Sequence, residues 1–132
     1  MRYVAIAKEQ NVVYDVQLTI PPDIVFPDDE LCIILSNLLE NAMDAASQQV
    51  DGDKRVYLRG ELLNYRLGIV ADNTFNGEIK QKNGIFLSTK HEGQGHGLRS
   101  IQTIVEKYDG IVDFFADDGI FRVTIFIPLR NL

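Results

Sequence analysis

Residues 28–48 read DDELCIILSNLLENAMDAASQ. Leucine and alanine recur in this run at three- and four-residue spacing, which places them on one broad face of a helix. The run opens with three acidic residues, which the positive end of a helix dipole favours in the first turn. The sequence therefore predicts an amphipathic helix from about Asp28 to Gln48. Its apolar face consists of Leu31, Leu35, Leu38, Leu39, Ala42 and Ala46.

The segments on either side of this helix have the alternation and turn residues of strands. Alternation predicts strands over 12–20, 55–63, 65–71, 111–116 and 120–127, and the last two flank an Asp-Gly turn at 118–119. Apolar spacing predicts a second helix over about 97–108, and residues 73–95 have the composition of a long irregular loop. This order predicts an α+β fold, a two-layer sandwich in which helices cover one face of a single sheet.

Composition and charge limit the class of protein. The 132 residues are the length of one domain, with a hydrophobic content of 45% and a charged content of 24%. Thirteen Lys and Arg against nineteen Asp and Glu give a net charge of −6, and no basic cluster favours nucleic-acid binding. The single cysteine, Cys32, cannot form an internal disulfide, which is typical of a reducing cytoplasmic compartment. No apolar run reaches the length of a membrane span.

A polar stripe interrupts the long helix. Asn37, Glu40, Asn41 and Asp44 fall within an arc of roughly 100° at 3.6 residues per turn. One interpretation is a plain solvent face. The other is a site that needs short, fixed oxygen donors, because asparagine is a poor helix former and hard cations such as Mg²⁺ take oxygen ligands.

Two further segments could carry chemistry. Asp72-Asn73 follows a predicted strand, and either forms a simple turn or supplies a carboxylate that accepts a hydrogen bond from a purine amino group. Gly93, Gly95 and Gly97 precede the second helix, either in a flexible connector or in an anion site at a helix N-terminus with Lys90 nearby. The histidines at 91 and 96 have no cysteine partner nearby, so a metal site built from them is not predicted.

In this order, the three segments resemble the N, G1 and G2 boxes of the GHKL ATP-binding superfamily. Within it the chain is similar to the catalytic and ATP-binding domain of bacterial sensor histidine kinases, in particular the peptide-sensing type. Residues 37–45 are similar to the N box, Asp72-Asn73 to the start of the G1 box, and 86–98 to the lid and G2 box. The resemblance implies a Bergerat-type ATP-binding fold, with a mixed, mainly antiparallel sheet of about five strands and about three helices on one face.

The resemblance also implies a role for each matched position. Asn41 is expected to ligate the Mg²⁺ that bridges the ATP phosphates, with Asn37 supporting the phosphate site and Asp44 on the same arc. Asp72 is expected to accept a hydrogen bond from the adenine amino group, with Asn73 assisting. The lid over the phosphates is expected to consist of Lys90, Gly93, Gly95 and Gly97, and Leu98 to begin the helix behind it.

What such a domain does depends on parts beyond residues 1–132. The resemblance implies that ATP donates its γ-phosphate to a histidine on a separate dimerisation segment, for relay to a response regulator. A homodimer is then expected only of the full-length protein, and this chain is expected to be the cytoplasmic domain of a membrane-bound receptor kinase. Phosphoryl transfer is mostly positioning and charge neutralisation, so we assign no catalytic base within this chain. Two alternatives stay open: a serine kinase of the anti-sigma type, and a degenerate module that only docks a partner.

Overall fold

The computed structural model describes residues 12–21, 23–47, 52–75, 79–82, 85–88 and 93–129. Nine regular elements occur in these ranges: β1 (Val13–Thr19), α1 (Asp28–Ser47), β2 (Arg55–Leu63), β3 (Arg66–Thr74), β4 (Ile79–Lys82), β5 (Ile85–Ser88), α2 (Gly93–Lys107), β6 (Ile111–Asp117) and β7 (Ile120–Pro128). Neither of the described helices is both long enough and apolar enough to cross a bilayer.

Five strands form one mixed sheet in the order β1-β2-β3-β7-β6. β1 runs parallel to β2, and every other neighbouring pair is antiparallel. β4 and β5 form a separate two-stranded hairpin. The α+β sandwich with a five-stranded, mainly antiparallel sheet is thus confirmed, although the described residues contain two helices where about three were expected.

The sheet has two unlike faces because its side chains alternate. In β3, Leu67, Ile69, Ala71 and Asn73 are buried, whereas the residues between them are only partly buried. On this side of the sheet α1 contacts β2 and β3, and α2 contacts β6 and β7, so we call it the helix-covered face. The other side, the open face, carries the intervening residues Gly68, Val70, Asp72 and Thr74.

The boundaries that differ from the sequence prediction lie next to the polar segments. β3 continues through Thr74, three residues past the predicted end, because residues 72–74 still pair with β7 and residues 72–73 also pair with β2. α2 begins at Gly93 instead of about Gly97, since glycine lowers helix propensity and hides the helix start in the sequence. The predicted irregular loop contains the β4–β5 hairpin.

The N-terminal end of α1 contacts the C-terminal end of α2. The Tyr108 hydroxyl donates to Glu30 Oε1, and Lys107 Nζ lies 3.1 Å from Glu30 Oε2. These two donors, Tyr108 first, hold the pKa of the Glu30 carboxyl below its usual range. α2 then ends through Asp109, which adopts a left-handed φ of 60°, and Gly110, whose N–H donates to Val105 O at 2.9 Å. The two helices consequently lie antiparallel.

Candidate functional site

The polar stripe of α1 lies along the border of its buried face. Leu38, Leu39 and Ala42 are buried in the core. Asn37, Asn41 and Asp44 are partly buried, and Glu40 between them is exposed. Burial thus distinguishes the two amides and the Asp44 carboxylate from the exposed Glu40. Oxygen donors held at the border of a core are suited to a ligand that binds between two elements.

The glycine-rich segment meets this stripe at Gly97. A Cβ built on Gly97 would lie 3.2 Å from Asn37 Oδ1 and 3.7 Å from Asn37 Cβ. The absence of a side chain therefore lets the second turn of α2 approach the amide of Asn37 closely. The next residue, Leu98, is buried and anchors this turn in the core.

The other predicted lid residues precede this contact. Gly93 and Gly95 lie in the first turn of α2 and not in a loop before it. Their N–H groups therefore belong to a helix N-terminus, which favours anions such as phosphate. Lys90 lies outside the described residues.

Asn73 is the one buried polar side chain among the described residues, with 3% of its surface exposed. It lies on the helix-covered face near the end of β3, in register with Val56 on β2 and Phe121 on β7. Its Nδ2 donates to the carbonyl of Thr74 at 3.0 Å. That bond fixes the orientation of the amide.

Asp72 lies on the open face, away from the α1 stripe. Its carboxylate forms a bidentate pair with Arg122 on β7, with Nε–Oδ1 at 2.7 Å and Nη2–Oδ2 at 2.8 Å. The ion pair raises the pKa of the Arg122 guanidinium. Asn73, and not Asp72, therefore lies on the helix-covered face of the sheet. The physical reason is the period of two in a strand, which sends the side chains of 72 and 73 to opposite faces.

Arg122 was missed by the sequence analysis, since nothing local in the sequence relates it to a carboxylate fifty positions away. The face of Asp72, by contrast, could have been predicted. The apolar residues Leu67, Ile69 and Ala71 set the alternation of β3, and counting on in twos reaches Asn73.

The residues present fit a magnesium nucleotide better than a protein-only metal site. Among the described residues, no group of three His, Cys, Asp or Glu could hold a metal ion. The α1 stripe instead offers amide oxygens and one carboxylate, and α2 approaches one of these amides, Asn37, at Gly97. Mg²⁺ commonly takes one or two protein oxygens and completes its shell with waters and substrate phosphates.

Comparison with known proteins gives a consistent family. Residues 29–128 match the family model described as GHKL domain. A probable C4-dicarboxylate sensor kinase from Halalkalibacterium halodurans is 32% identical over an alignment of 108 residues, and this alignment covers 77% of this chain and 20% of that protein. The chain thus spans about a fifth of the length of this curated relative.

Solved structures share the fold at low sequence identity. The nucleotide-free catalytic domain of histidine kinase ThkA has a TM-score of 0.72 at 18% identity, covering 97% of this chain and 86% of that one. The histidine kinase AdeS from Acinetobacter baumannii has a TM-score of 0.69 at 14% identity, covering 98% and 60%. Full-length ShkA, solved in complex with AMPPNP, has a TM-score of 0.69 at 18% identity, covering 94% and 27%.

Proposed function

Since this chain belongs to the GHKL domain family, we propose that it is the ATP-binding catalytic domain of a sensor histidine kinase. Residues 1–132 then form a single domain that binds Mg²⁺-ATP between the α1 stripe and the beginning of α2. The observation that carries the proposal is the approach of Gly97 to Asn37, which joins two of the three chemically suggestive segments at one place.

The phosphate side of the site is built on α1 and α2. Asn41 would hold Mg²⁺ through its side-chain oxygen, and Mg²⁺ when bound neutralises charge on the phosphates. Asn37, one turn earlier, supports the phosphates from the same stripe, and Asp44 orients water or backbone at its far end. The N–H groups of Gly93 and Gly95 face the anion, together with Lys90, while Leu98 fixes the helix behind them.

The base side of the site is built on the end of β3. Asn73, and not Asp72, is the residue that faces this site in our proposal. Asn73 Nδ2 donates to the Thr74 carbonyl, and this bond orients the amide. In our proposal the Oδ1 atom of the same amide accepts a hydrogen bond from the base. The 6-amino group of adenine is a donor, whereas guanine carries a carbonyl at that position. An oriented acceptor here therefore selects adenine without a negative charge.

The rest of the reaction requires other segments. In our proposal the γ-phosphate passes to a histidine on a separate dimerisation segment, and from there to a response regulator. The domain would be the cytoplasmic part of a membrane-bound receptor that dimerises at full length. Because this domain supplies positioning and charge neutralisation, the proton balance at the acceptor histidine is left to the segment that carries it.

Calorimetric titration with ATP and GTP, each with and without Mg²⁺, tests the nucleotide site. We expect Mg²⁺-dependent binding of ATP in preference to GTP. Asn41→Ala should weaken Mg²⁺-ATP binding by about tenfold or more, because a hydrogen bond or ligand contact to a charged group is worth ~1.5–3 kcal/mol. Ser36→Ala, an exposed position on the same helix, is the matched control and should bind like wild type.

Each contrary outcome of these experiments has a different interpretation. No binding under any condition would refute the catalytic assignment and leave a partner-docking module. Binding of ATP followed by phosphorylation of a serine in a partner protein, stable to acid where phosphohistidine is not, would indicate the anti-sigma type instead. Loss of affinity in Ser36→Ala equal to that in Asn41→Ala would show that the helix, and not the amide, is responsible.

A further inference from the structure

A row of residues crosses all five strands on the open face, and its β3 member is the residue next to Asn73. In register from β1 to β6 it consists of Asp15, Tyr57, Asp72, Arg122 and Phe115. At its centre the Asp72–Arg122 pair joins β3 to β7 through two short hydrogen bonds. The Asp72 side chain is 19% exposed and that of Arg122 is 51% exposed, so solvent screens this pair in part.

Two further contacts fix the residues just beyond Asp72. Thr74 Oγ1 accepts the N–H of Arg55 on β2 at 3.0 Å. The N–H of Phe75 donates to Gly119 O, in the turn before β7, at 3.1 Å. The end of β3 is therefore held from both neighbouring strands. Asn73 lies between these contacts and is the residue of this segment whose side chain is buried on the helix-covered face.

We propose that Asp72 and Arg122 are positioning residues for nucleobase recognition, acting through the backbone of β3 on Asn73. This inference rests on the function proposed above and deepens it. The pair lies on the opposite face of the sheet from the site and touches no bound nucleotide. The pair fixes the position and orientation of the end of β3, and these determine where Asn73 Oδ1 can accept a hydrogen bond from the base.

The chemistry of the pair suits this task. A guanidinium and a carboxylate joined by two parallel bonds fix both distance and relative orientation, which a single hydrogen bond does not. Phosphate binding depends on α1 and α2, on which the pair does not lie. Loss of the pair should consequently affect the discrimination between bases more than the affinity for the triphosphate common to all nucleotides.

The test is displacement of a fluorescent ATP analogue by ATP and by GTP, with Mg²⁺, for four proteins. These are wild type, Asp72→Asn, the charge-swapped double variant Asp72→Arg with Arg122→Asp, and the control Asp113→Asn. Asp113 is an exposed acid on the open face of β6. Thermal unfolding of each protein is measured in parallel.

We expect Asp72→Asn to weaken ATP binding about three- to fivefold, the upper range for a partly exposed ion pair, and to change GTP binding less. The ATP-over-GTP preference should shrink accordingly. It should return in the swapped variant and stay unchanged in Asp113→Asn.

Three outcomes would overturn the inference. An unchanged preference in a folded Asp72→Asn protein would do so, as would an equal weakening of ATP and GTP that follows a lowered melting temperature, since that marks a merely structural role. A folded charge-swapped variant without restored preference would also contradict it. Failure of wild type to bind ATP would refute the proposed function, and this inference with it, and is visible before any variant is compared.

Discussion

Substituting Gly97 with alanine should separate the stability of the fold from its ability to bind nucleotide. Gly97 is the fifth residue of α2, a helix that carries three glycines in its first five positions. Replacing an interior helix glycine with alanine favours the helix by about 1 kcal/mol. For a domain of this length, that corresponds to a rise in melting temperature of about 3–5 °C.

The same methyl group should damage the site. It would lie 3.2 Å from Asn37 Oδ1, closer than ordinary contact, so Asn37 or the helix must move by roughly 0.3 Å. A misplacement of ~1 Å at a binding or catalytic group can cost about a hundredfold, so on a logarithmic scale this shift costs about fourfold in Mg²⁺-ATP affinity. The variant should therefore be as stable as wild type or more so, and bind more weakly.

Calorimetry and thermal unfolding on the same preparations test this prediction. Gly68→Ala is the matched control, because its added Cβ meets only ring atoms of Phe126 at 3.6 and 3.9 Å, which is ordinary contact. The double variant Asn37→Ala with Gly97→Ala shows whether the effect passes through Asn37. If it does, the alanine at 97 should add nothing once Asn37 is shortened. Wild-type affinity in a folded Gly97→Ala protein would refute the reasoning.

Three other substitutions test the end of α2. Gly110→Ala should destabilise the fold by about 2 kcal/mol or more in urea unfolding, because the new Cβ would lie 2.4 Å from the backbone oxygen of Phe126; wild-type stability would contradict the contact. Asp109→Gly should stabilise the fold by about 0.5–1 kcal/mol, because Asp109 has a φ of 60°, which glycine adopts without strain. A loss of stability in this variant would show that the Asp109 side chain makes contacts that offset the strain. Glu30→Gln should be destabilising at pH 7, with the deficit shrinking below about pH 4.5. Tyr108 and Lys107 lower the pKa of Glu30 in the folded state. The stability that Glu30 contributes is therefore present above its unfolded-state pKa and is lost as the pH falls through its folded-state pKa. A stability deficit that does not change with pH would contradict this reasoning.

The long periodic segments were predictable from the sequence. The first helix, predicted over 28–48, is observed over Asp28–Ser47, and the strand predicted over 55–63 is observed over Arg55–Leu63. Hydrophobic spacing gives such elements because burial of one face is their main source of stability. Where residues are glycine or polar, as at 72–74 and 93–97, that signal is absent. Strand pairing in one case and helix continuation in the other extend the elements past their predicted ends.

Motif resemblance and strand geometry gave different information about Asp72 and Asn73. The resemblance to the G1 box drew attention to both residues, and it assigned the adenine contact to Asp72 with Asn73 assisting. Geometry assigns the two side chains to opposite faces, with Asp72 on Arg122 and Asn73 in the buried row. The ion pair could not be predicted, because it depends on the register between β3 and β7. The face on which each side chain lies could be predicted, because the alternation of β3 begins at Leu67.

The end of β3 illustrates how a strand can divide recognition from support. Consecutive side chains of a strand serve different environments, so a charged residue can hold the strand from the open face while its neutral neighbour faces the ligand. A carboxylate at position 73 would be buried, and burial of an unpaired charge is costly. An amide at that position avoids this cost in the nucleotide-free domain and, oriented by the Thr74 carbonyl, still offers an acceptor. Asn73→Asp should accordingly bind ATP while lowering the stability of the domain near neutral pH. Asn73→Leu should remain folded but lose the preference for ATP over GTP. A leucine variant that keeps this preference would show that Asn73 does not contact the base.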